Sequence, residues 1–327
     1  MNNYKTDVPV ALVFFNRPDT LKEVFESIRR ARPSKLFLIQ DGAREGNEKD
    51  KTNIPKCRAI VEDVDWDCEV HKIYSDVNLG CGYRIYSGVS EAFKHVDRLV
   101  IIEDDIVIGE DMLPFCAEML ERYKDDQRID KISGMNHIIE YKECPYSYFF
   151  AEGGGAIWGW ATWKRVWDNF EWNWDCYDDE YTMRIVPYLK FPVVTGPWLK
   201  GVIEKKVKSL RRGEKQTSWS MQCNVSCCRL QSRISIVPQK NLISNIGLIG
   251  EHSVHSSLNK LPRKTRKVYF GKTFVLERPL KHPKYVISDN YYLKMQDEIL
   301  HGSKIEKLLK LRMLEVILYR FFPFLSN

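Results

Sequence analysis

No CxxC pair occurs among the nine cysteines, at positions 57, 68, 81, 116, 144, 176, 223, 227 and 228. An odd count without paired spacing argues against both a disulfide framework and a structural zinc site, and predicts reduced thiols in a cytosol. No uncharged stretch reaches the roughly 18 to 20 apolar residues that span a bilayer. The apolar run Val8–Phe15 is too short for a secretory signal and runs straight into Asn16-Arg17-Pro18. A cytoplasmic protein is therefore expected, either free or peripheral at the inner face of a membrane. Neither GxGxxG nor GxxxxGK followed by Ser or Thr is present, which speaks against a glycine-loop dinucleotide fold and a P-loop enzyme. Internal repeats, long low-complexity linkers and nucleic-acid-binding signatures are absent as well.

What the chain does have is a mild excess of positive charge, 50 Lys and Arg against 44 Asp and Glu in 327 residues. That balance suits anionic ligands without demanding nucleic acid. Aromatic residues make up 12%, a share better explained by a large core or by sugar stacking than by base stacking.

The first half alternates. Val8–Phe15 reads as a strand buried on both faces. Pro18-Asp19 then opens a helix whose apolar positions Leu21, Val24, Phe25 and Ile28 recur at steps of three and four. Further strands are expected over Leu36–Gln40, Cys68–Tyr74, Leu99–Glu103 and Ile129–Ser133, with helices over Tyr83–His95 and Gly109–Lys124. Alternating strands and helices imply an α/β fold, a doubly wound, mostly parallel sheet with ligands at the carboxyl ends of its strands.

Three motifs sit at such ends: Phe15-Asn16-Arg17, Gln40-Asp41 and Glu103-Asp104-Asp105. The acid triplet is the most informative. Three adjacent carboxylates at the end of a buried strand repel one another and cost several kcal/mol unless a cation or donors sit among them. Mg²⁺ or Mn²⁺ is a hard cation that takes oxygen ligands and arrives with substrate phosphates, so the triplet reads as half of a metal-diphosphate site. If the strand continues, Glu103 and Asp105 point one way and Asp104 the other. The competing reading is a solvated turn. Arg17 can neutralise phosphate oxygens or pair with a nearby acid, and Asp41 can accept a hydrogen bond from a base or ribose. Asn78-Leu-Gly80 stands before a helix and completes the outline of a nucleotide-diphosphate cleft.

Beyond about residue 140 the texture turns to aromatics, glycine and short helices. Trp160, Trp163 and Trp167 are spaced as one helical stripe, at least two of them in the core. Trp158, Trp172 and Trp174 are expected to border a sugar-sized pocket. Gly153-Gly-Gly155 allows close backbone approach to a ligand or within a turn. Lys200, Lys205, Lys206, Lys208, Arg211, Arg212 and Lys215 are expected on a solvated helix face. The tail Ser303–Phe322 mixes basic residues with a broad apolar face, so it either docks on its own domain or lies on an anionic membrane.

These motifs together resemble the GT-A glycosyltransferases, in particular the N-acetylglucosaminyltransferase I and protein O-mannose N-acetylglucosaminyltransferase group and related bacterial polysaccharide glycosyltransferases. Phe15-Asn-Arg17 looks like the group's nucleotide-contacting start, and Gln40-Asp41 like its uracil-contacting acid. Gly82-Tyr-Arg84 through Glu103-Asp-Asp105 is similar in spacing, and Gly159-Trp160 through Met183-Arg184 looks like the segment carrying the catalytic acid. One departure is that a His contacting the base in the animal enzymes corresponds to Gly82.

The resemblance implies a domain over residues 1–262, with a nucleotide-binding half to 135 and an acceptor and closing half after it, and a C-terminal extension over 263–327. It implies an inverting, metal-dependent transfer of a sugar, such as N-acetylglucosamine, from a UDP-linked donor to a glycan or lipid-linked glycan in surface polysaccharide synthesis. Asp105 would ligate Mn²⁺ or Mg²⁺, while Asn16, Arg17, Asp41, Asn78, Arg84, Glu103 and Asp104 would hold the nucleotide sugar. Glu180 or Asp179 would deprotonate the acceptor hydroxyl, since the local register admits either. His252 and His255 would belong to a closing loop after Asn245-Ile-Gly247, with His255 the better metal ligand. Nucleic acid is not an expected partner, and peripheral membrane contact would run through the C-terminal helix. Two rivals are a sugar-nucleotide-forming nucleotidyltransferase, which should carry a glycine-rich basic loop after its first strand, and a non-catalytic carbohydrate-binding protein, which has no use for three acids at a strand end.

Overall fold

The computed structural model describes residues 7–153, 155–190, 195–214, 219–247, 266, 268–301, 314 and 317–318. The amino-terminal half winds β1 (Val10–Phe14), α1 (Pro18–Ala31), β2 (Lys35–Gln40), α2 (Glu48–Val61), β3 (Glu69–Tyr74), α3 (Cys81–Ala92) and β4 (Arg98–Glu103). Each expected strand is present within two residues. The helix α1 starts at Pro18, whose missing N–H and fixed φ suit a first turn, and it buries Leu21, Val24, Phe25 and Ile28. No periodicity announces α2. Pro55 lies inside it and its apolar residues are scattered, yet Asn47 caps it by accepting from the Asp50 amide (3.0 Å).

After a turn at Asp104-Asp105 the chain continues through β5 (Ile106–Ile108), α4 (Met112–Arg122), β6 (Ile129–Ser133), β7 (Tyr148–Ala151), β8 (Trp160–Trp163) and α5 (Lys164–Trp167). Next come α6 (Glu180–Ile185), α7 (Gly196–Arg211), α8 (Ser220–Cys223), β9 (Ile234–Pro238), β10 (Ile243–Asn245) and α9 (Asn290–His301). The main sheet has the order β3-β2-β1-β4-β8-β6-β9-β7. Neighbours β3, β2, β1 and β4 are parallel, and β6 with β9 follow the same direction; β8 and β7 run against them. The α/β, mostly parallel sheet expected from the sequence is thus observed, with β8 inserted antiparallel between β4 and β6 and β7 antiparallel at one edge.

The inserted β8 overturns a reading of the tryptophans. Trp160 and Trp163 lie in β8 and only Trp167 is helical, though all three are buried. Spacing alone does not separate a buried strand from a buried helix turn, and the four residues of β8 satisfy their backbone groups between β4 and β6. Trp174 also departs from expectation. It is buried in a separate small core with Met183, Val186, Leu199 and Ile203. Gly155 packs its backbone against Ser235, where a Cβ would stand 2.7 Å from the serine's own, so the close approach is internal.

Register decides where the strands end. Val13 is level with Glu103, and Phe14 with Gln40, which is in turn level with Tyr74. Four carboxyl ends therefore open at one height. Where α3 packs on β2, Gly88 lies so near Ile39 that any Cβ would collide with the Ile39 side chain. Gly88→Ala is expected to destabilise the fold by about 1–3 kcal/mol through overpacking, read as a lowered urea midpoint with an unchanged m-value.

Candidate active site

The carboxyl ends of β1, β2, β3 and β4 open into a cleft of about 620 Å³. All eight residues expected in the first half of the site line it: Asn16, Arg17, Asp41, Asn78, Arg84, Glu103, Asp104 and Asp105. The strand alternation expected across the acids stops at Glu103, because Asp104 and Asp105 form a turn. Asp104 consequently folds back toward β1. It is buried, accepts from the Phe15 amide (3.2 Å) and pairs with the Arg17 guanidinium. Asp105 accepts from the same guanidinium nitrogen at 3.1 Å. Arg17 thus takes up the structural pairing that its position allowed, and bridges both carboxylates.

One guanidinium does not offset three acids. Burial, followed by Asp105 and Asp104, raises the Glu103 carboxyl to about 8, with Arg17 pulling the other way. Burial and Asp104 likewise raise Asp105 above the ordinary carboxylate range. Burial works against the charge on Arg17, but the two aspartates outweigh it and hold its pKa above the usual arginine value. Without a further cation the corner resists a third negative charge, so Glu103 stays largely protonated at neutral pH, and a bound cation would favour its ionised form.

Asp41 does something other than present a free acid. Its oxygens accept from the amides of Gly42 (3.0 Å), Leu79 (2.9 Å) and Gly80 (2.9 Å). Asn78 donates to the Gly42 carbonyl (2.8 Å). These bonds fix the β3–α3 loop against the end of β2 and use three of the carboxylate's acceptor positions. Gly80, with φ of 82°, allows the turn into α3. Arg84 is buried on α3 and donates to the Ile73 carbonyl, while its Nε has no hydrogen-bond partner among the described residues. Burial lowers its pKa, partly offset by Asp41. A buried cation that lines an open cleft and has no carboxylate partner among the described residues is a natural contact for phosphate.

On the opposite wall Asn16 donates to Asp50 (2.6 Å), and Asp50 also takes a two-pronged contact from Arg44 at 2.7 Å. Arg44 and its partners hold the Asp50 carboxyl at about 2. Arg44 in turn lies over the Phe15 ring, 5.5 Å from its centroid, and lines the cleft. Sequence reasoning missed Arg44, for it lies four residues past the strand end and its partner Asp50 sits on the unannounced helix α2. Cys81, Trp158, Asn245, Gly247 and Tyr269 complete the lining. Of the three tryptophans expected near a pocket, Trp158 lines this one, whereas Trp172 stacks on Tyr86 (5.3 Å). Burial and the neighbouring acids push the Cys81 thiol up to about 12, so it stays neutral.

The pair β5–β10 delivers Gly247 to the acids. Ile246 donates to the Asp105 carbonyl (2.9 Å), and a Cβ on Gly247 would collide with the Asp105 carboxylate. This glycine keeps open the space beside Asp105. His252 and His255 lie outside the described residues, as does most of the expected C-terminal helix.

Asp179 and Glu180 are exposed on the helical segment after Trp174 and are not among the residues lining the cleft. Asp179 is the N-cap of α6, accepting from the Tyr181 amide (3.0 Å) and the Thr182 hydroxyl (2.7 Å), which lowers its pKa. Glu180 has no hydrogen bond or ion pair to another described side chain.

Among the described residues no group of three or more His, Cys, Asp or Glu converges as a ready-made ion site. The donors nevertheless fit a hard cation. Asp105 offers carboxylate oxygens beside the space kept by Gly247, and the raised Glu103 shows that Arg17 alone does not offset a third negative charge there.

No protein-family model matches the chain, and no curated protein matches it. Solved structures with some likeness include UDP-glucose pyrophosphorylase complexed with UDP-glucose, 12% identical with a TM-score of 0.29 over 49% of this chain and 78% of that one. Another is the inositol-1-phosphate CTP transferase from T. maritima, 11% identical with a TM-score of 0.35 over 77% and 96%. A third is a mannose-1-phosphate geranyltransferase from Thermus thermophilus, 9% identical with a TM-score of 0.33 over 72% and 75%. None of the three is named as an N-acetylglucosaminyltransferase. At TM-scores this low the likeness carries no argument about the reaction.

Two outcomes are expected. Removing the acceptor for three amides in Asp41→Ala should cost about 1–3 kcal/mol, measured by urea unfolding. In chelator, the excess protons that folded Glu103 binds between its ordinary 4.5 and about 8 make the fold lose stability as pH rises through that window. Glu103→Gln should flatten that slope in a series of thermal melts.

Proposed function

We propose that the cleft binds a nucleotide diphosphate sugar together with Mg²⁺ or Mn²⁺, and that the protein transfers the sugar to a hydroxyl of a glycan or lipid-linked glycan. One observation carries the reading: the end of β4 presents three acids, level with the end of β1 and its Arg17, inside an open cleft. Asp105, with Glu103 beside it, would hold the cation, which when bound supplies charge neutralisation for a leaving diphosphate. Asp104 is spent on the Phe15 amide and Arg17 and orients the latter. Arg17 and the incompletely paired Arg84 supply fixed positive charge for phosphate oxygens, electrostatic work done before the reaction begins.

Of the two candidate bases, Glu180 is the better proposal, because Asp179 is committed to capping α6. Its part would be to take the proton of the acceptor hydroxyl as that oxygen attacks the anomeric carbon and the bond to the diphosphate breaks. Such general-base help is worth typically 10²- to 10⁴-fold.

Nucleotidyl transfer is the second reading, since the same sheet, strand-end acids and cleft would serve it. The local chain favours glycosyl transfer. β1 passes through Asn16-Arg17 directly into α1 at Pro18, which leaves no glycine-rich basic loop to wrap a departing pyrophosphate.

Incubation with a panel of sugar nucleotides and Mn²⁺ decides between them. Release of nucleoside diphosphate supports glycosyl transfer; pyrophosphate exchange into nucleoside triphosphate supports the second reading. Asp105→Ala should weaken metal-dependent donor binding by at least roughly tenfold in calorimetry, and unchanged binding would refute the metal assignment. Glu180→Gln should lose turnover while keeping donor affinity, and Asp179→Asn should not.

A further inference from the structure

The helical unit after Trp174 carries an outward surface that the cleft does not use. Tyr181, Arg184, Ile185 and Tyr188 follow one another at steps of three, one and three along α6 and the turn after it, so they form one stripe. All four are exposed, Tyr188 by 80% and Tyr181 by 61%. On α7 the exposed positions Trp198, Gly201, Lys205 and Lys208 recur at helical spacing, with Trp198 47% exposed.

The two stripes are joined. Gly196 donates to the Leu189 carbonyl (3.2 Å), and Lys190 bridges Thr195 in antiparallel fashion. Tyr188 and Trp198 are thereby one and two residues from a paired backbone position. Beneath them Met183, Val186, Leu199 and Ile203 form the unit's own core, so the outward aromatics are not needed for its packing.

Charge selects the occupant. The acids Asp175, Asp178 and Asp179 precede the surface, and Asp178 pairs with Arg211 (3.0 Å), but from Tyr181 to Lys208 the sequence has six Lys and Arg against one Glu and no Asp. A second copy docking isologously would set these basic stripes against each other, which is unfavourable. A sugar would be better held in a concave site, and these side chains stand on outward helix faces. Tyr and Trp at the water boundary, flanked by Lys and Arg, are the combination that anionic lipid headgroups attract. We infer that the Tyr181–Lys208 surface docks the protein on an anionic bilayer. This assignment is independent of the reaction in the cleft and of the C-terminal segment.

Sedimentation of the full chain with vesicles of phosphatidylcholine, with and without phosphatidylglycerol, tests it. The chain should bind the anionic vesicles, lose binding at high salt and ignore the neutral ones. Two variants, Ile185→Ser/Tyr188→Ser/Trp198→Ser and Lys205→Glu/Lys208→Glu, should each bind at least roughly tenfold more weakly, with melting temperature confirming that they fold. The charge variant decides alone if the apolar one does not fold. Absence of binding to anionic vesicles overturns the inference. So does parental binding by the folded variants, which would move the contact to another part of the chain. Self-association of the parent that the variants abolish, seen by sedimentation equilibrium, would assign the surface to a second copy instead.

Discussion

Arg17 stands between Asp104 and Asp105, and much of the cleft's geometry follows from the need to place that cation there. The guanidinium is fixed because it lies three residues past the end of β1, and the carboxylates are fixed because β4 ends level with β1. The Phe15 amide completes the tie by donating to Asp104. A charge cluster of this kind is costly when unbalanced, and here the balance is incomplete, as the raised Glu103 shows. The fold thus stores an electrostatic demand at the place where a phosphate-bound cation would meet it.

Around this corner the polar groups divide between those that build walls and those left for a ligand. Gln40 donates to the Phe15 carbonyl (2.9 Å) and accepts from Arg58 (2.7 Å), tying β2 and α2 to the end of β1. Asp41 and Asn78 secure the loop before α3, and Asp50 gathers Asn16 and Arg44. Glu103, Asp105 and Arg84 are the charged groups whose surroundings leave them least satisfied. Such incomplete satisfaction within a concave surface marks a binding site more reliably than charge alone.

How much of this could be read from the chain depends on how local each cause is. The buried run of β1, the stripe of α1 and the acids after β4 are local patterns, and the corresponding elements and cleft residues are where those patterns placed them. Arg44 and Tyr269 were not legible: Arg44 is held by Asp50 on a helix that Pro55 obscured, and no motif marks Tyr269, whereas Gly247 was named beside a closing loop and reaches the acids through β10 on β5. Asp41 was legible in position but not in role, since nothing in Gln40-Asp41 reveals that the amides of Leu79 and Gly80 come to meet it. The tryptophan stripe failed for a different reason. A spacing of three and four is shared by a helix face and by a short strand running into a turn of helix, and the sheet had space for one more strand between β4 and β6.

The level ends of β1, β2 and β4 also bear on how such a chain can change over time. Inserting or deleting one residue inside β1 would shift Arg17 by about 3.3 Å along the strand and turn it to the other side of the sheet. Length changes in the connection between β2 and α2 would leave that alignment alone. Indel variation among descendants of this chain should therefore accumulate in the connections and spare the interior of the parallel strands, whatever reaction they come to perform.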